Sequence, residues 1–258
     1  MEPSLAELAE DTQLHVLPHA GVTVVDRGDL VLYATGNSAM VLRIRLGNVP
    51  EAVEWIRMQA QQRALRGLDW WVGWSATPVD LSEQLLALGL VPDPDEPTLT
   101  GMTCDVPPPA APDVEIRRIE TLDHQLAALE VDWEVWQHDA AERAARTKTE
   151  RERFDPNGSV HHFAAYDGGR PVGFGRAIDM DHGVALMGGA VLPDYRGRGV
   201  YRALVRARWE HAAARGTPLL VVQAGHMSRP VLENLGFLPH GVLHLFADPR
   251  VASGHGDD

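Results

Sequence analysis

The run Val184 to Arg208, VALMGGAVLPDYRGRGVYRALVRAR, limits what this chain can fold into more than any other stretch. An apolar strand ends in a glycine- and arginine-rich turn that opens directly into a helix, so the chain must build a layered α/β structure. Gly197 and Gly199 let the backbone take φ > 0 and come close to a ligand, leaving consecutive N–H groups free. The helix starting near Val200 adds its own unsatisfied donors and the positive end of its dipole. Arg196, Arg198 and Arg202 supply formal charge, and the whole reads as a cradle for a diphosphate. Neither GxxxxGK[ST] nor GxGxxG followed by an acidic ribose ligand fits the spacing.

The bulk properties narrow the setting. With 258 residues, 45% apolar and 23% charged, the chain is globular and long enough for one large domain or two ordinary ones. The opening MEPSLAELAED is acidic and lacks an apolar core, and no apolar run reaches the ~18 residues of a membrane helix, so a cytoplasmic protein without membrane association is expected. The single cysteine, Cys104, permits no internal disulfide and reads as a buried small hydrophobe. A net charge of -13 argues against a nucleic-acid binder. Residues 1–106 hold 15 acidic and 6 basic side chains, a net of -9, so an anionic cofactor is expected in the other half. The acidic half reads as a solvated surface or, at most, as an attraction for a cationic acceptor.

Along the first half, strands are expected at Val22–Val25, Leu30–Ala34 and Met40–Leu46. A helix then runs from Pro50 to a terminal glycine, followed by a strand through Trp70 and Trp71, a helix Asp80–Leu88 and a strand Leu99–Val106. The segment 107–112, PPPAAP, denies N–H groups to any ladder and marks a linker. Beyond it come a strand Val114–Arg118, helices Leu122–Trp136 and Ala140–Arg153, a hairpin turning on Asp167-Gly168-Gly169, and the Val184–Leu192 strand. A helix to Arg215, a strand Leu219–Val222, a short helix and a last strand Val242–Phe246 follow. WWVGWSATPVDLSEQLLALGL in the first half lies over LLVVQAGHMSRPVLENLGF in the second, each as strand, proline-containing loop and helix.

The pattern AVxPxxRGxGxxxxL resembles that of the GNAT superfamily of acyl-CoA-dependent N-acyltransferases, and the element order of about 113–248 resembles the family fold. The resemblance implies an α/β (α+β) protein of two tandem GNAT-like domains, each a mixed, mostly antiparallel sheet flanked by helices. Residues 1–106 would be a degenerate copy and 113–258 the catalytic one. Arg196, Gly197, Arg198, Gly199, Val200, Tyr201 and Arg202 would hold the pyrophosphate of coenzyme A, with acetyl-CoA as co-substrate. Tyr201 departs from the family's usual Gly or Ala. The corresponding turn of the first half, Leu46-Gly47-Asn48-Val49-Pro50, lacks arginine and loses a donor to proline, so no coenzyme A is expected there. That half would wall the acceptor pocket, stabilise the active half, or mediate association as a homodimer.

The implied reaction is direct attack of an amine on an acyl thioester, most simply acetyl transfer to a primary amine of a small molecule. Backbone N–H groups around Ala190, Val191 and Leu192, where the family splays its central strands, would polarise the carbonyl. The family's acid, a tyrosine four residues before Gly236, is replaced by Leu232, and the strand VALMGGAV carries no carboxylate. Proton handling then falls to His226 beyond the fifth strand or Glu134 on the acceptor-side helix, with Glu130 and His138 beside it. Trp133 and Trp136, three apart on that helix, could line an apolar or cationic pocket. No metal is expected: His161 and His162 leave opposite faces of a strand, and Pro18 breaks the helical spacing of His15 and His19. The missing tyrosine and bare strand also fit a non-catalytic acyl-CoA-binding or regulatory protein, and acylation of peptide or protein N-termini stands as a third reading.

Overall fold

The computed structural model describes residues 2–110 and 113–252. Residues 111 and 112 of the proline-rich segment, and 253–258 of the expected second domain, lie outside the described residues. The first half begins with two short helices, α1 (Leu5–Glu10) and α2 (Thr12–His15), and three strands, β1 (Val22–Asp26), β2 (Val31–Thr35) and β3 (Ser38–Leu42). It continues through α3 (Val49–Gln62), β4 (Gly67–Val72), α4 (Leu81–Ala87), β5 (Val91–Pro92) and β6 (Thr98–Cys104). The second half contains β7 (Glu115–Arg118), α5 (Leu122–Val135), α6 (Ala140–Arg153), β8 (Val160–Asp167), β9 (Arg170–Met180) and β10 (Gly183–Val191). After a single 3-10 turn at Pro193–Tyr195 come α7 (Val200–Ala214), β11 (Leu220–Ala224), α8 (Arg229–Glu233), β12 (Leu238–Ala247) and α9 (Pro249–Ala252).

Local chemistry explains most of these boundaries. α3 starts where the Asn48 side chain accepts the Glu51 N–H, and it buries Val49, Ala52, Val53, Ile56 and Ala60, three or four residues apart. It stops at Gln62 rather than at the expected glycine, because Ala64 takes φ 51 and Gly67 opens β4. The strand expected to reach Leu46 ends at Leu42, since Arg43 at φ 47 turns the chain out of the ladder. α6 buries no residue at all; a capping box between Asp139 and Glu142 closes its start. No helix among the described residues is long and apolar enough to cross a membrane.

All the strands form one sheet, in the order β1-β2-β3-β4-β12-β6-β11-β10-β9-β8-β7, with β5 on β12. Among the paired strands of the described residues, only β3 with β4 and β10 with β11 are parallel. The two halves interlock: β6 of the first pairs with β11, from Leu220 opposite Cys104 to Ala224 opposite Thr100. In return β12 of the second pairs with β4, from His244 opposite Val72 to Ala247 opposite Asp69. β6 and β12 also pair with each other at the centre. The two units that looked alike in sequence, β4 with α4 and β11 with α8, thus occupy equivalent places on either side of a central strand pair. Each half covers a strand edge that the other would leave open.

α1 crosses this junction and packs on β6, β11 and β12. It sits so close that a Cβ on Gly101 of β6 would come 2.7 Å from the Ala9 carbonyl oxygen. Gln223 of β11 donates to the Glu10 carbonyl at 2.7 Å and accepts from Gln13 at 2.7 Å. From the other side, the Ser75 N–H donates to the Glu10 carboxylate at 2.7 Å.

A fragment of residues 113–258 would lack the strand between β11 and β12. Expressed alone it is expected to show no cooperative urea transition and no near-UV circular dichroism, and mixing with residues 1–106 should restore both. A cooperative transition of the fragment by itself would show that the exchanged strand is dispensable.

Candidate active site

β10 leads into the cradle, and α7 opens it. Gly197 and Gly199 take φ 72 and 82, and Gly199 caps the helix with no side-chain cap. Among the described residues no protein acceptor takes the N–H of Gly197, Arg198, Gly199, Val200, Tyr201 or Arg202. A Cβ on Gly197 would meet nothing within 4 Å, so the space beside that residue is open. Arg196, Arg198 and Arg202 are exposed around it. Arg196 donates through Nε to the Val191 carbonyl at 3.2 Å, and Arg198 lies 5.1 Å from the centre of the Tyr195 ring. The start of α3 is different: the Asn48 amide covers it, and Glu51 places a carboxylate in its first turn.

Beside the cradle the sheet opens. β10 and β11 pair only at Val184 with Leu220 and Ala185 with Val221, after which β10 is held by β9 alone. The Leu192 N–H donates to Val172 at 3.0 Å. By the alternation of an antiparallel ladder, Ala190 also faces β9 and Val191 turns its N–H into the gap. Gly188, at φ 70, is the extra residue of a bulge between Met187 and Gly189, and it is exposed. Tyr201 does not point at the cradle: its ring lies over Gly189, where a Cβ would come within 3.2 Å of it. Burial pushes the Tyr201 hydroxyl pKa up, and Arg208 beside it pulls the other way. Arg208, 1% exposed, donates to the carbonyls of Leu204 at 3.0 Å, Arg176 at 3.3 Å and Gly188 at 3.4 Å, which fastens α7 to the bulge.

On the sheet face away from α7 lies a cavity of about 660 Å³, walled by both halves. Tyr33, Met40 and Trp71 come from the first half; Glu150, Arg153, Asp155, His162, Arg176 and Met187 come from the second. His162, Arg176 and Met187 stand in register on β8, β9 and β10, the last immediately before the bulge. Burial, aided by Arg176 and His161, pushes the His162 pKa down to about 3, so its imidazole is neutral near pH 7. None of these cavity residues forms a sequence motif. The one local signal is Arg176 itself, a lone charge inside the otherwise apolar strand PVGFGRAI.

The residues singled out from sequence for proton handling lie outside the cavity wall. His226 is 72% exposed, with Nδ1 at 3.1 Å from the Glu96 carboxylate, which the first half supplies. Glu134 is 57% exposed and 3.7 Å from Arg170. Glu130 pairs with Arg143 and His138 with Glu142, both on α6. Trp133 is buried in the core and Trp136 is exposed. Leu232 is fully buried in the core, as is Cys104.

One cluster has the composition of a cation site. His161, Asp179 and His211 bring their ligand atoms within 4.8 Å of one another. Their hydrogen bonds give it another role. Arg118 donates to His161 Nδ1 at 3.0 Å, which leaves the proton on Nε2, directed at Asp179 Oδ2 at 2.9 Å. His211 Nε2 lies 2.8 Å from Oδ1, and Arg215 Nε 3.1 Å from Oδ2. The carboxylate therefore ties β8, β9 and α7 together. Burial pushes its pKa up, but the bonds from His161 and His211 outweigh that and hold it well below the usual carboxylate range.

The model of the acetyltransferase (GNAT) family matches residues 119–237. Among solved structures the chain is similar to a GCN5-related N-acetyltransferase from Kribbella flavida, with a TM-score of 0.68 and 17% identity over 96% of this chain and 97% of that one. It is similar to a tandem GNAT protein from the clavulanic acid biosynthesis pathway, at 0.60 and 18% over 95% and 88%. A functionally unknown conserved protein from Staphylococcus epidermidis aligns at 0.66 and 11% over 90% and 95%. At these identities the likenesses carry the fold, two GNAT-like domains in tandem. No curated protein sequence matches the chain.

Because the folded pKa of Asp179 is depressed, its contribution to stability is present above about pH 4, the ordinary carboxylate value, and is lost as pH falls through the folded value. Asp179→Asn is expected to cost about 3–5 kcal/mol in urea unfolding at pH 7, as for other broken buried pairs. The difference from the parent chain should shrink on acidification well below pH 4; a constant difference would mean that the carboxylate charge is not what matters.

Proposed function

We propose that the chain, whose residues 119–237 match the acetyltransferase (GNAT) family model and whose fold is that of two GNAT-like domains in tandem, is an acyl-CoA-dependent N-acyltransferase, moving acetyl from acetyl-CoA to a primary amine of a small molecule. The observation that carries the reading is the glycine-started α7, which has no side-chain cap, with six N–H groups at 197–202 that no protein acceptor takes among the described residues and open space beside Gly197. A diphosphate fits there in charge and in donor geometry. Gly197, Arg198, Gly199, Val200, Tyr201 and Arg202 would hold it through the backbone, with the guanidinium groups of Arg196, Arg198 and Arg202 around it.

Bound this way, the co-substrate supplies an acyl thioester, whose carbonyl carbon an amine attacks directly, so that a C–N bond forms and the C–S bond breaks. The Val191 N–H, turned into the gap beside β10, would donate to the carbonyl oxygen as it gains charge. The cavity ending at Met187 would hold the amine on the same strand, so that positioning contributes most of the acceleration, up to ~7–11 kcal/mol. For the proton lost by nitrogen we favour His226: with Nδ1 held by Glu96, its Nε2 is left as acceptor. Glu134, on the solvent side of α5 beside Arg170, is the second candidate. A thiolate with a pKa near ~8.5 leaves without a dedicated acid, which suits the buried Leu232 in the tyrosine position. That same leucine is what favours the other reading, an acyl-CoA-binding protein without turnover.

Thiol release from acetyl-CoA across a broad amine panel tests the reading. Release with at least one amine supports it, whereas calorimetric binding of coenzyme A with no release favours the non-catalytic alternative. Gly199→Pro should abolish coenzyme A binding, since it forbids φ 82 and deletes a donor; unchanged affinity would mean the phosphates sit elsewhere. His226→Ala is expected to lower turnover about 10²-fold with coenzyme A affinity unchanged. An unaltered rate would remove His226 from the chemistry.

A further inference from the structure

The charges of the cavity restrict what the acceptor can be. Although the first half has a net charge of -9, it puts no carboxylate into the cavity wall. All four charged lining residues come from the second half: Glu150, Arg153, Asp155 and Arg176. Each of the two carboxylates accepts a hydrogen bond on one oxygen. Gln125 donates to Glu150, and the Asn157 N–H donates to Asp155 Oδ1 at 3.0 Å. Among the described residues neither guanidinium has a hydrogen bond or ion pair. Arg176 Nε is buried without an acceptor, and the Arg153 guanidinium lies against the backbone of Gly21 at the rim.

A partly buried guanidinium without an anion is an unfavourable arrangement that a bound carboxylate would relieve, since the planar fork of arginine matches a carboxylate in two parallel bonds. Arg176 is the fixed charge of the cavity floor. Its neighbour His162, neutral near pH 7, adds a polar group but no charge. On the other side Arg176 stands opposite Met187, one residue before the Gly188 bulge where the sheet opens. A group held by Arg176 is therefore one strand away from the gap beside β10.

We propose that the acceptor is an amino carboxylate, an α- or ω-amino acid whose carboxylate is held by Arg176 with Arg153 closing on it from the rim, while its amine reaches the gap at β10. The assignment of the amine as the reacting group rests on the acyltransferase reading; the carboxylate site rests on the two unpartnered guanidinium groups.

The two are separable by experiment. Proteinogenic amino acids, β-alanine and 4-aminobutyrate are titrated calorimetrically into the full chain saturated with coenzyme A, alongside the matching amides and decarboxylated amines. At least one amino carboxylate should bind about 30- to 100-fold more tightly than its amide. Arg176→Gln should erase that difference while leaving coenzyme A affinity and the far-UV spectrum unchanged. Arg153→Gln should reduce it several-fold, which guards against a folding defect in either variant alone. No binding by any amino carboxylate, equal binding of the amides, or indifference to both substitutions overturns the proposal, even where thiol release on other amines upholds acyl transfer. Carboxylate-dependent binding without any thiol release would instead uphold the site and sink the acyltransferase reading.

Discussion

β6 and β12 run side by side at the middle of the sheet, each supplied by one half of the chain and each covering a strand edge of the other. A parallel strand such as β11 gains little from a short connection on its own side, and an uncovered edge invites unwanted pairing. Exchange removes both edges at once. It also fixes the distance between the halves, so that side chains from β2, β3 and β4 can form one wall of a cavity whose floor is β8, β9 and β10. α1 and α2 reinforce the same seam, Glu10 and Gln13 joining Gln223 and Ser75 across it with hydrogen bonds of 2.7 Å.

The halves share an architecture but present opposite electrostatics at the helix that follows their parallel strand. α3 is closed by Asn48 and carries Glu51 in its first turn, so its positive end is spent within the chain. α7 begins on a left-handed glycine, has no acidic residue in its first turn, and leaves its donors outward. One turn sequence separates a helix whose first turn is closed by a side chain of the chain from one whose first N–H groups have no protein acceptor among the described residues. The acidic balance of the first half follows the same division, since its carboxylates stay out of the cavity wall.

Much of this could be read from sequence because it is local. Gly197, Gly199 and Pro50 dictate backbone conformation over a few residues, and the helices and hairpins they punctuate fall within a few residues of their expected ends. The strand exchange could not be read, since β6 reads the same whether it pairs at home or across the seam; only the competing edges of β4, β11 and β12 decide. The cavity was hidden for the same reason. Arg153 ends α6 and Arg176 lies on β9, separated by a turn, β8 and a hairpin, and nothing in either neighbourhood announces that the other is near. Likewise His161 and His162 face apart as the strand period requires, yet His161 meets His211 and Asp179 from elsewhere in the chain.

Two departures from the family pattern look independent in sequence and are a single packing event. Tyr201 is large where the resembled pattern has a small residue, and β10 carries no carboxylate where that pattern often has one. In the fold the Tyr201 ring occupies the space above Gly189, and even a methyl group there would crowd it at 3.2 Å. Tyr201 therefore leaves only its backbone at the cradle, as an alanine would, while its side chain fills the volume that the bare strand leaves empty. Arg208 completes the arrangement from below by bonding the Gly188 carbonyl, which keeps the bulge in place without a side chain of its own. A side chain at Gly189 would need Tyr201 to give way, so a larger residue on that part of β10 and the Tyr201 ring compete for one volume.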